Sequence, residues 1–288
     1  MKKNIGIISL FIGVIFFMAC KENKSTVTTD HEMLSTPGMS FEGDFHTTLP
    51  SGLSIDAYEL QDAPNIEPVT FDPVSDYSQR ELLSIHENER KLKFSNNTLF
   101  DEMGLSMKAQ CDNFTLLARH KAIPNENSIP GSTNTMFIEV LLDAKVIYTA
   151  DTGDASPIVP LQGLWCYDRN WVLEYADITL TLDDETNSVR YDAVGHLVEN
   201  GILINEQNSF DEIFGFQLLR GKPFYFFDKN GLIGVSFDEQ ATVLGYEEIP
   251  HFGCCSASLL NPDQAQNMVT FFARKNGIWY YVEIGVYE

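Results

Sequence analysis

From Met136 onward, apolar and polar positions alternate with the period of two that a half-buried strand requires. The alternation predicts strands at Met136 to Leu142, Lys145 to Thr149, Gly163 to Tyr167, Trp171 to Tyr175, Ile178 to Leu182, Val189 to Leu197 and Gly201 to Asn205. An acidic turn, Asp183-Asp184-Glu185-Thr186-Asn187-Ser188, interrupts the series. Upstream the pattern changes. Ser75 to Lys91 is the best helix candidate, with Ser75 as cap and Tyr77, Leu82, Leu83 and Ile85 on one face before Asn96-Asn97; a strand from Glu81 to Phe94 is the alternative. Phe41 to Ser75 is broken by Pro50, Pro64, Pro68 and Pro73 and is expected to wrap the surface irregularly.

The stretch from Phe210 to Glu288 is densest in aromatic residues and repeats itself. Phe210-Asp211-Glu212-Ile213 recurs as Tyr246-Glu247-Glu248-Ile249. Phe226-Phe227-Asp228-Lys229-Asn230-Gly231 recurs as Phe271-Phe272-Ala273-Arg274-Lys275-Asn276-Gly277. Asn-Gly between two apolar runs predicts a hairpin, because both residues accept the positive φ of a type I′ turn. Fainter copies lie at Trp165 to Trp171 and at Phe100-Asp101-Glu102-Met103. Repeated hairpins must bury one face each against neighbours, which predicts a mainly β fold with a few short helices. Its antiparallel hairpins form a sandwich, a barrel or a propeller-like array. Lys229 to Val235 with Tyr246-Glu247-Glu248-Ile249 and Phe252 resembles the WG-type β repeat of uncharacterised exported bacterial proteins, a resemblance that implies a β architecture and no activity.

The N-terminus carries an address. Lys2 and Lys3 precede the uncharged run Ile5 to Met18 and then Ala19-Cys20, the layout of a signal peptide over residues 1 to 19. At about 1.5 Å per residue that run is short of the roughly 30 Å bilayer core. Phe17-Met18-Ala19-Cys20 resembles the bacterial lipobox, which implies that Cys20 is lipidated and tethers the chain to a membrane without a transmembrane helix. Lys21 after that cysteine resembles lipoproteins sorted to the outer membrane, with the periplasmic and surface faces both open. Residues 20 to 40 are too poor in apolar residues to pack and read as a flexible tether. Residues 41 to 288 then form one β-rich domain.

Charge narrows the partners. With 19 basic and 41 acidic residues the net charge is -22, which repels phosphate backbones and argues against nucleic acid. A cation, a basic protein or solubility alone is compatible with it. Setting Cys20 aside, Cys111, Cys166, Cys254 and Cys255 are an even number in a compartment where disulfides persist. A bond between adjacent Cys254 and Cys255 closes a strained ring, so cross-links from that pair to Cys111 and Cys166 are favoured over it; reduced, buried thiols are the alternative.

Candidate chemistry concentrates in Pro250 to Met268, where the second tail repeat holds extra residues: His251, Cys254, Cys255 and Ser256, then Asn261-Pro262-Asp263, whose Asn cap and Pro predict a short helix. Imidazole beside thiols suits a disulfide or core role, a soft metal such as Zn²⁺ or Cu⁺, or a nucleophilic cysteine. Asp151-Thr152-Gly153 resembles half of an aspartic-protease signature, which needs two copies, and reads as a turn. Asp183, Asp184 and Glu185 lack EF-hand spacing. The Gly-x-Ser-x-Gly, P-loop, His-Glu-x-x-His and dinucleotide signatures are absent. Trp165, Trp171, Trp279, Tyr280 and Tyr281 are core candidates that also suit sugar stacking, with Trp279 and Tyr281 on one strand face and Tyr280 on the other. These features predict a monomeric envelope lipoprotein that binds a glycan or protein ligand or acts as a scaffold, with no catalysis assigned. The rival is an envelope hydrolase using acidic residues or the His251, Cys254 and Cys255 cluster.

Overall fold

The computed structural model describes residues 43–66, 69–92, 98–100, 106–124, 134–156, 158–183, 188–253, 258 and 261–287. The chain divides into two units, Met1–Glu32 and Met33–Glu288, and the described residues all lie in the second. The signal sequence, Cys20, the tether, Asn96-Asn97, Asp101 to Met103, Asp184 to Asn187, Cys254, Cys255 and Ser256 fall outside them. Strands make up 63% and helices 9% of the structure, so the β class expected from alternation holds.

The first segment departs from its expected irregular wrap. β1 (Phe45–Thr48) and β2 (Ser54–Glu59) form an antiparallel pair. Within β2, Ile55 and Ala57 are buried on alternate positions. The prolines flank this run without entering it, which leaves every β2 amide able to join a ladder. A short pair, β3 (Asn65–Ile66) and β4 (Val69–Thr70), precedes α1 (Gln79–Ile85) and α2 (Glu87–Lys91). The helix starts later than expected. Ser78, not Ser75, caps α1 through a capping box with Glu81, and the helix breaks at His86. Only Leu82 of the predicted apolar face is buried; Tyr77, Leu83 and Ile85 are exposed.

A nine-stranded sheet follows and curls into a half-barrel. Its members are β5 (Thr98–Phe100), β6 (Ser106–Gln110), β7 (Thr115–Pro124), β8 (Asn134–Leu142), β9 (Lys145–Asp154), β10 (Leu161–Tyr167), β11 (Asn170–Asp183), β12 (Ser188–Glu199) and β13 (Ile202–Leu203). The two strands predicted at Trp171 and Ile178 are one strand, β11. The Asp151-Thr152-Gly153 turn is absent: these residues stay within β9, and Gly153 forms the parallel bridge to Ile178 of β11. The predicted strand at Gly201 to Asn205 ends at Leu203, where α3 (Ile204–Asn208) begins. Asn205 is buried, and its carboxamide bonds the Leu197 N–H and the Gly195 carbonyl at 3.0 Å each, replacing a strand with one side chain.

Four antiparallel strands then form a meander: β14 (Glu212–Leu219), β15 (Lys222–Lys229), β16 (Leu232–Phe237) and β17 (Gln240–Tyr246). The last strands, β18 (Asp263–Gln264), β19 (Met268–Lys275) and β20 (Ile278–Gly285), join β1 and β2 in the order β1-β2-β20-β19-β18. Both Asn-Gly hairpins form. Asn230 and Gly231 have φ of 56° and 75°, and Asn276 and Gly277 have φ of 52° and 78°. The faint copy at Trp165 to Trp171 is the β10–β11 hairpin, turned at Asp168-Arg169.

The meander is the middle layer. One face packs Phe214, Phe224, Phe226, Val235 and Tyr246 against Ile55, Phe271, Tyr280, Val282 and Ile284 of the five-stranded sheet. The other packs Ile213, Phe216 and Phe227 against Trp165, Val172 and Leu197 of the half-barrel. Burial on both faces explains why this stretch reads as dense apolar runs. Tyr280 and Tyr281 do occupy opposite faces, and both are buried: Tyr281 joins Tyr58, Phe71, Leu82 and the partly buried Trp279 in a smaller core involving α1.

Candidate functional site

A cleft of about 340 Å³ opens where the half-barrel, the meander and the segment after β17 meet. Its wall is set by an irregularity in β14. Register against β15 shifts between Phe214 and Gln217, and Gly215 sits at φ 66°. A side chain at 215 would place Cβ 3.0 Å from Pro262 and 3.1 Å from Phe226, in a backbone region that already favours glycine. The bulge turns the N–H groups of Gly215 and Phe216 away from the ladder. Glu174 of β11 accepts both, at 2.7 Å on Oε1 and 3.0 Å on Oε2. Glu174 is 4% exposed. Burial pushes its carboxyl up to about 7, against the opposing pull of these two N–H groups and of His251.

His251 also lines this cleft, and both its ring nitrogens face acceptors. Nδ1 lies 2.6 Å from the Ile249 carbonyl and Nε2 lies 3.2 Å from Glu212 Oε1. The ring stacks on Phe214 at 3.5 Å and 8°. Glu212 also accepts the Gly195 N–H at 2.9 Å. A metal at His251 would therefore have to displace a protein partner. Cys254, Cys255 and Ser256, the other members of the predicted cluster, lie outside the described residues. Among the described residues, no group of three or more His, Cys, Asp or Glu is arranged to hold a metal ion.

Two further expectations change here. Asn261-Pro262 starts no helix: Asp263 enters β18, and the Asn261 carboxamide accepts the Phe272 N–H and donates to the Phe272 carbonyl, both at 2.8 Å. Cys111 and Cys166 bond each other, with Cα atoms 5.4 Å apart, in place of the favoured cross-links to Cys254 and Cys255. The chain end after β6 meets β10 in the core of the half-barrel, which brings the two thiols together across 55 residues.

Trp165 also lines the cleft and is 5% exposed. Its ring lies over Gly163, where a Cβ would come within 1.5 Å of it. The indole N–H has no hydrogen-bond partner among the described residues.

A second polar constellation went unseen in the sequence. On β2 and β20, Asp56 and Glu283 stand opposite each other under α1 and α2. Glu283 is fully buried and pairs with Arg90, whose Nη2 also donates to the Tyr281 hydroxyl and the Leu82 carbonyl at 3.1 Å each. His86 Nε2 lies 3.0 Å from Asp56, and the Tyr287 hydroxyl donates to Asp56 at 3.1 Å. This cluster fastens the helices to the sheet.

No helix among the described residues is long and apolar enough to cross a membrane. No protein-family model matches the chain, and no curated protein sequence matches it.

Proposed function

We propose that the chain is a bacterial lipoprotein, anchored through Cys20 in the outer membrane, whose β-rich domain binds a ligand of the cell envelope in the cleft beside Glu174 and His251. One observation carries the preference for binding over catalysis. The ionisable groups of the cleft are held in fixed orientations by the protein: each Glu174 oxygen accepts one backbone N–H group, and both His251 nitrogens face the Ile249 carbonyl and Glu212. A general base needs a lone pair aimed at substrate, whereas a recognition cleft needs fixed polar groups and apolar walls.

The rival, an envelope hydrolase, is favoured by one feature: the cleft area gathers an imidazole with two carboxylates, Glu174 and Glu212. Lipid labelling tests the anchor that both readings share, and ligand stabilisation against substrate turnover separates them. Radiolabelled palmitate should enter the wild type and not Cys20→Ser, and the label should fractionate with outer membranes. Thermal-shift screening against envelope glycans and peptides should find a ligand that raises the melting temperature without being consumed. Turnover of a glycoside or ester, lost in Glu174→Gln, would favour the hydrolase instead.

A further inference from the structure

Resting on the reading of the cleft as a ligand site, the geometry points to a cationic ligand: we propose that the cleft receives an ammonium or guanidinium group, with Glu174 as counter-charge and the aromatic side chains as walls. Buried carboxylates are ordinarily paired with a cation or fully hydrogen-bonded. Glu174 accepts one backbone N–H on each oxygen and has no Lys or Arg partner among the described residues. Among the described residues, no lysine or arginine lines the cleft. The charged and titratable groups near Glu174 are His251 and, beyond it, Glu212; the residues opposite Glu174 on β10 and β12, Gly163 and Leu197, add none.

The walls suit the same class. Trp165 and Phe252 line the cleft, and aromatic faces attract cations through their quadrupole; Phe214 also lines it, with its ring stacked on His251 and Phe226. Gln162 and Gln264 supply side-chain carbonyls at the rim, acceptors for a ligand's N–H groups. A net charge of -22 steers cations toward the surface and repels anions. A cation bound beside Glu174 favours its ionised form, so binding must release a proton wherever the free protein holds one.

The test uses the full chain in detergent, titrated calorimetrically with choline, agmatine and a neutral disaccharide at pH 5.5 and pH 8. Choline or agmatine should bind about tenfold more tightly at pH 8 than at pH 5.5, and at pH 5.5 the binding enthalpy should follow buffer ionisation. Glu174→Gln, shown by circular dichroism to be folded, should lose about tenfold in affinity at pH 8 together with the pH dependence. Phe252→Ala, with Glu174 intact, should weaken binding without altering the pH dependence. Absence of amine binding up to about 10 mM, or unchanged amine affinity in Glu174→Gln, would overturn the proposal. Binding of the disaccharide alone, lost in Phe252→Ala, would preserve the cleft as a ligand site and remove only its cationic assignment.

Discussion

Glu174 joins two pieces of backbone that would otherwise be mismatched, since the β14 bulge frees two N–H groups and the carboxylate accepts one on each oxygen. Its environment makes stability depend on pH in a defined direction. The folded value is raised from an ordinary 4.5 to about 7, so its contribution is fully present below 4.5 and is lost as pH rises through 7. Glu174→Gln removes that titration. The melting-temperature gap between wild type and variant should therefore shrink between pH 4.5 and pH 7.5, measured by calorimetry; a constant gap would contradict the raised value. None of this was legible in the sequence. Glu174 is one of the chain's 41 acids and sits on an alternating strand, and what distinguishes it is a bulge 41 residues away. His251 drew attention in the sequence because it lies among residues added within the second copy of a repeat, and Gly215 resembles any other strand glycine until its φ is known.

At the level of elements, the turns were read unevenly. Asn230-Gly231 and Asn276-Gly277 announced themselves, but Asp143-Ala144 and Asp238-Glu239 also hold two positive φ values without any glycine, and nothing local marks them as the same turn. The helices were harder to place because α1 and α2 are held by polar contacts more than by an apolar stripe. Arg90→Ala should leave Glu283 buried with only the Tyr281 hydroxyl and His86 beside it, costing roughly 3 kcal/mol, and hydrogen exchange should show amides of α1 and α2 losing protection before those of β20. Equal loss in both would mean that Arg90 supports the sheet, not the strap of helices. Asn205 and Asn261 do the work of missing strands, each pairing an N–H and a carbonyl of a neighbouring strand. Asn205→Ala strands a buried donor and acceptor on β12 and should cost about 2–3 kcal/mol in denaturant melts; Asn205→Asp keeps the acceptor for Leu197 but sets a buried carboxylate oxygen against the Gly195 carbonyl, and should recover none of that loss at neutral pH.

The molecule's layering explains why the sequence left sandwich, barrel and propeller-like array open. Alternation reports a strand with one wet face, and the meander has none: both sides of β14 to β16 meet another sheet, so the pattern that would identify its partners is erased. The N-terminal pair β1 and β2 completes the sheet begun by β20, a pairing across more than 200 residues that no local signal marks. Long-range closure is also what the disulfide supplies. Cys111 and Cys166 tie the β6 end of the half-barrel to β10 across 55 residues, and a loop of that length implies about 4 kcal/mol of stabilisation, or roughly 10 °C in melting temperature for a protein of this size. Cys111→Ser, Cys166→Ser and the double variant each break the same single bond, so all three should lose the same amount, as should the wild type under reductant. Had the two cysteines been bonded separately to Cys254 and Cys255, the single variants would break different bonds and the double variant would lose about twice as much as either. The additivity of the two single losses thus reads the connectivity directly: losses that coincide support the Cys111–Cys166 bond, and losses that sum refute it.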